Sequence, residues 1–130
     1  QALMNLLTNA RDSLNAKYPA RDPDKRLSIS AQTDEQQEQV VLTVRDQGEG
    51  IPEGIRQQIF DPFFTTKPRD KSTGLGLSVT LGIIREQSGT LAVQSEPGMF
   101  TEFQIRLPLQ GTSPLIHEAN EDNHGSHPGR

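Results

Sequence analysis

The chain has no cysteine, few aromatic residues (5% of 130) and no excess of positive charge, with 13 basic side chains against 17 acidic ones and a formal net charge of −4. Without cysteine there is neither a disulfide framework nor a thiolate zinc site, which is compatible with a reducing compartment. The charge balance provides no overall basic field for nucleic acid or an anionic membrane, so no nucleic-acid partner is expected. Also lacking is an apolar run of about 18 residues, so this segment carries no membrane-spanning helix. Nothing at its start resembles a signal peptide. What remains is 32% hydrophobic residues, enough for one modest core and hence one domain.

Leu3, Leu6, Leu7, Ala10 and Leu14 repeat at three- and four-residue spacing, which predicts a helix over "QALMNLLTNARDSLNAKY". No cap residue precedes it, and an amphipathic pattern opening on residue 1 predicts a fragment cut at or inside its first helix. "YPARDPDK" (18–25) reads as a loop. "RLSISAQ" (26–32) and "QVVLTVRD" (39–46) read as a hairpin around a polar turn. After the glycine-rich "DQGEGIP" (46–52) come a short helix through Ile55 and Ile59 and a second helix over 75–89, whose apolar residues predict cover on more than one side. "TLAVQSE" (90–96) and "FTEFQIRLP" (100–108) form a second predicted hairpin. The polar tail, 110–130, has little apolar content and is expected to be disordered. Helices beside two hairpins imply an α/β fold, a two-layer sandwich with helices on one face of a mixed sheet and its other face open to cover by partner segments.

Four polar segments carry the chemistry. On the first helix Asn5, Asn9 and Asp12 share one stripe. An amide oxygen suits Mg²⁺ when triphosphate oxygens complete the octahedron, so Asn9 is a candidate ligand; taken alone, it better fits an ordinary helical asparagine. In "DQGEG" two glycines let backbone approach a flat ligand, and Asp46 at a strand end can accept from an exocyclic amine such as that of adenine, although the same residues also make a plain turn. Three of the five phenylalanines, Phe60, Phe63 and Phe64, stand within five positions. Pro62 stops the helix there, so Phe63 and Phe64 read as anchors at the edge of a mobile lid over 65–73, with Lys67 free to reach an anion. "TGLG" (73–76) then opens a helix whose first N–H groups favour a phosphate. The Gly-Lys-Ser/Thr ending of a Walker loop is absent.

In this order the segments resemble a known family. "NLLTNARDSL" is similar to the N box of sensor histidine kinases, "DQGEGIP" to their first glycine box, "IFDPFFTTK" to their phenylalanine box and "TGLGLSV" to their second glycine box. The resemblance covers residues 1–109 and implies the catalytic ATP-binding domain of the GHKL superfamily, in the cytoplasm, whether or not its parent is membrane-anchored. It implies ATP and Mg²⁺ as ligands, with Asn9 on the metal, Asp46 on the adenine amine, and Gly48 and Gly50 shaping the base pocket. Lys67 approaches the phosphates from the lid, while Gly74, Leu75 and Gly76 form the phosphate-side turn. Asp12, Ile51, Phe64, Thr65, Thr66, Thr73 and Leu77 complete the implied site. The chaperones and topoisomerases of the superfamily place a water-activating glutamate four residues before the metal-binding asparagine. This chain has Asn5 there, a poor general base, which favours transfer over hydrolysis.

The resemblance further implies partners outside this sequence: a histidine-bearing helical dimerisation domain, in a homodimeric parent, and the receiver domain of a response regulator. The fragment itself can be a monomer. The family's domain starts some tens of residues earlier, with an extra strand and the front of the first helix. His117, His124 and His127 lie in the polar tail, none in a helical pattern beside an acid, and are not expected to accept phosphate. One departure stands out: "GMFT" carries Phe100 where the family has a second glycine, predicting a repacked hairpin. A GHKL serine kinase of the anti-sigma-factor type, or an ATP-binding regulator that transfers nothing, is the competing reading.

Overall fold

A computed structural model describes residues 1–62, 64 and 76–109. Helix α1 (Ala2–Lys17) is followed by strands β1 (Leu27–Asp34) and β2 (Gln39–Asp46), a 3₁₀ helix (Glu53–Gln58), helix α2 (Gly76–Glu86), and strands β3 (Thr90–Glu96) and β4 (Phe100–Pro108). The helices lie on one face of a four-stranded sheet ordered β1-β2-β4-β3, giving the expected two-layer α/β sandwich. All three pairings among these strands are antiparallel, because β4 turns back from β3 and then runs opposite to β2 as well. These four strands therefore do not supply the parallel component of a mixed sheet.

Strand alternation decides which residues meet the helices. Val44, Phe103 and Ile105 point into the layer below α1 and α2 and form one core with Leu6, Ile59 and Ile84. The opposite face carries mostly polar and charged side chains, as antiparallel sheets allow, with Val41 buried among them. There Arg45 pairs with Glu102 at 3.3 Å and Arg106 with Asp34 at 3.4 Å. Phe100 lies on this face, and the Arg45 guanidinium sits 3.9 Å from its ring centroid. That contact gives the bulky residue of the closing hairpin a place where a glycine would leave Arg45 without a ring to cover.

α1 turns its Leu6, Ala10 and Leu14 stripe to the core and ends where Tyr18 N–H donates to the Leu14 carbonyl at 2.7 Å, just before Pro19. α2 ends earlier than the expected residue 89. Gly89 N–H reaches the Ile84 carbonyl (2.9 Å) and Ser88 N–H the Arg85 carbonyl (3.0 Å), with Ser88 in the left-handed region at φ 62°, the pattern of a Schellman stop. The expected cover on several sides of α2 is not found among the described residues: Thr80 and Ile84 are buried and Leu77 packs on the core, but Val79 is 43% exposed. A stripe at 77, 80 and 84 is enough to dock it on one side. Phe60 and Phe64 pack against the core as anchors, whereas Phe63 and the lid over 65–73 lie outside the described residues. The tail, 110–130, does too.

Candidate nucleotide site

Asp46 is the last residue of β2 and is 4% exposed. A buried carboxylate requires donors. One is the Gly48 N–H, 2.9 Å from Oδ1, and another is the Ser13 hydroxyl from α1. Burial nevertheless raises the Asp46 carboxyl above the ordinary aspartate value, and these two hydrogen bonds only partly oppose it. Two of the carboxylate's acceptor positions are thus used, leaving capacity for an amine.

The loop after Asp46 is held from three directions. Glu49 N–H donates to Ser13 Oγ (2.9 Å), Ile51 N–H to Ser95 Oγ of β3 (2.7 Å), and Gly98 N–H of the β3–β4 turn to the Glu49 carbonyl (2.6 Å). Two glycines make this closure possible. A Cβ on Gly48 would lie 2.7 Å from Asp46 Oδ1 and 2.8 Å from the Ser13 carbonyl carbon, while Gly50 sits at φ 71° with its hydrogen side against the Glu96 backbone. Ile51, the residue after the turn, packs on the core.

At the other end of α1, Asn5 Nδ2 donates to the Gly76 carbonyl at the start of α2 (3.3 Å) and Asn5 Oδ1 accepts from Gln1 (3.2 Å). Asn9 stands one turn further along the same stripe, half-buried and hydrogen-bonded or otherwise engaged. Asp12 is paired with Arg11 at 3.3 Å. No cluster of three or more His, Asp or Glu side chains that could hold a metal occurs among the described residues. A cation beside Asn9 would therefore take most of its ligands from bound phosphate and water, and that is how Mg²⁺ is commonly held. Leu77 packs on the core and Gly76 is exposed. Lys67, Thr65, Thr66, Thr73, Gly74 and Leu75 lie outside the described residues.

Three residues were not singled out from the sequence. Ser13 continues the Asn5, Asn9 series at another four-residue step, so the stripe itself could have found it. Ser95 and Thr101 are both buried, with their hydroxyls 3.4 Å apart, and Thr101 lies directly across from Asp46 in the β2–β4 register. Only the strand pairing reveals them. A pocket of about 370 Å³ elsewhere, lined by Lys17, Tyr18, Asp24, Arg45, Gln47, Met99 and Phe100, has its cations already engaged: Lys17 Nζ by the Gly98 carbonyl (2.6 Å), Arg45 by Glu102 (3.3 Å).

Residues 1–111 match the family described as histidine kinase-, DNA gyrase B- and HSP90-like ATPase. Among curated proteins the chain is 39% identical over 95% of its length to the sensor kinase CckA of Brucella abortus. It is 39% identical over 88% of its length to the probable sensor histidine kinase TcrY of Mycobacterium tuberculosis. With the C4-dicarboxylate transport sensor protein DctB of Pseudomonas aeruginosa the identity is 44% over 91% of the chain. The chain spans 13%, 23% and 19% of these proteins, respectively. No helix among the described residues is long and apolar enough to cross a membrane. The chain therefore belongs to the histidine kinase-, DNA gyrase B- and HSP90-like ATPase family, as an ATP-binding module of the sensor-kinase kind.

Proposed function

We propose that this module holds Mg²⁺·ATP along α1 and presents the γ-phosphoryl group to a histidine on a helical dimerisation domain of its parent protein, for relay to an aspartate of a response regulator. The observation that carries the reading is a polar ladder on α1. Ser13 binds Asp46 and the glycine loop, while Asn5 binds the carbonyl that opens α2. Eight helical residues separate them, about 12 Å of rise. An extended nucleotide fits that span with its base at Asp46 and its phosphates towards Gly76. Asn9, one turn from Asn5 on the same stripe, would offer its amide oxygen to the cation.

In this scheme Asp46 accepts from the adenine amine, which rejects a purine bearing a carbonyl there. Gly48 and Gly50 keep the loop flat enough for the base. Lys67 and the N–H groups at Gly74, Leu75 and Gly76 hold the phosphate oxygens. Mg²⁺, when bound, neutralises charge on the transferring group. The bond between the γ-phosphorus and the bridging oxygen breaks as one forms to an imidazole nitrogen, and ADP leaves. Asn5 has no basic lone pair with which to activate a competing water.

The test uses the full-length parent with γ-labelled ATP. An acid-labile, alkali-stable label, lost when the acceptor histidine outside residues 1–130 is replaced and severely reduced in Asn9→Ala, is expected. An acid-stable label on serine, as a serine kinase would give, or undiminished transfer by Asn9→Ala, overturns the scheme.

A further inference from the structure

We infer that Ser13 is a positioning residue for base selection, fixing both the Asp46 carboxylate and the glycine loop through one hydroxyl. This rests on the nucleotide-site reading above. A hydroxyl offers one donor and two acceptor positions. Ser13 uses both kinds: its oxygen accepts the Glu49 N–H at 2.9 Å and its hydrogen bonds the Asp46 carboxylate. The three groups come from different elements, α1, the end of β2 and the loop that follows.

The consequence is geometric. Asp46 has rotational freedom about its terminal bond, and an amine is read only if the carboxylate plane faces it. Gly48 N–H fixes one oxygen. A second donor from another direction fixes the plane. Ser13 Oγ and Asp46 Oδ1 are the two nearest atoms to the place a Gly48 side chain would take, so hydroxyl and carboxylate lie side by side. Burial, the Gly48 N–H and the Ser13 hydroxyl are the groups that act on Asp46, and no charged side chain is among them. Loss of the hydroxyl therefore removes one of only two donors that favour the ionised form.

Calorimetry compares ATP with inosine triphosphate, which carries a carbonyl where adenine has its amine, on wild type, Ser13→Ala, Ser13→Thr and Asp46→Ala across the acidic range. In Ser13→Ala the preference for ATP is expected to fall by about tenfold, as for one hydrogen bond to a charged group. The pH at which ATP affinity is lost should move upwards. Ser13→Thr, which keeps the hydroxyl, retains the preference. In the wild-type chain the Glu49 amide should exchange slowly, a measurement that needs no variant to fold. If Asp46→Ala weakens ATP binding while Ser13→Ala changes neither preference nor pH midpoint, the inference about Ser13 is wrong and the site reading stands. Free exchange at Glu49 also overturns it. If Asp46→Ala binds ATP as wild type does, the site reading falls, and this inference with it.

Discussion

The two ends of the α1 ladder are built differently. At Asp46 a buried carboxylate, a glycine loop, α1 and the β3–β4 hairpin are joined by hydrogen bonds of 2.6–2.9 Å. At Gly76 α1 reaches the start of α2 through an amide hydrogen bond of 3.3 Å, and a side chain on Gly76 would meet nothing within 4 Å among the described residues. The first end is shaped before any ligand arrives, so its selectivity needs little reorganisation on binding. The second, in the proposed scheme the phosphate end, is tied by less among the described residues.

The sharpest way to break the contrast is to add one methyl group at each end. Gly48→Ala should cost about 1–3 kcal/mol of stability through overpacking and abolish measurable ATP binding. Gly76→Ala should leave stability within about 0.5 kcal/mol. Denaturant unfolding of both variants checks the pair; equal losses would mean the two ends are equally packed.

A second test uses pH. The Asp46 carboxyl is raised by burial, so the folded state holds its proton more tightly than the unfolded chain does. The stability this contributes is fully present below the unfolded value and is lost as pH rises through the raised folded value. At neutral pH the ionised group is consequently a net burden on the fold. Asp46→Asn removes that burden while its amide oxygen can still accept from Gly48. The variant should unfold at a temperature no lower than wild type at pH 7, yet lose selectivity for ATP, because Asn can also donate to a carbonyl. A lower unfolding temperature for Asp46→Asn at pH 7, with the gap closing in acid, would contradict the direction of the shift.

The smallest expected effect is at the Gly76 end. Asn5→Ala removes two long, exposed hydrogen bonds, from Gln1 and to Gly76, and should cost under about 1 kcal/mol by denaturant unfolding. A larger loss would show that this end is as firmly tied as the other.

Much of this was legible in the sequence because local rules govern it. The three- and four-residue spacing of Leu3, Leu6, Leu7, Ala10 and Leu14 pointed to an amphipathic helix whatever lay beneath it. Alternation in β3 and β4, and the apolar run of β2 between polar turns, marked the bounds that the structure shows. The end of α2 was less legible: Ser88 takes up the left-handed position itself, so the following glycine was no reliable marker of where the helix stops. Asn5, Asn9, Asp46 and the glycine loop were recognisable as polar or small residues at spacings with a chemical use. Periodicity could not say that α2 would keep an exposed side at Val79, because cover depends on what else packs there. Nor could it show that Phe100 would lie under Arg45, or that Ser95 and Thr101 would meet behind Asp46, since those contacts join residues brought together only by strand pairing. Sequence alone determined the elements and the types of group available to a nucleotide. The tertiary structure decided how Asp46 is buried and wired, because burial and a second donor from Ser13, 33 positions away in the chain, exist only once α1 lies on the sheet.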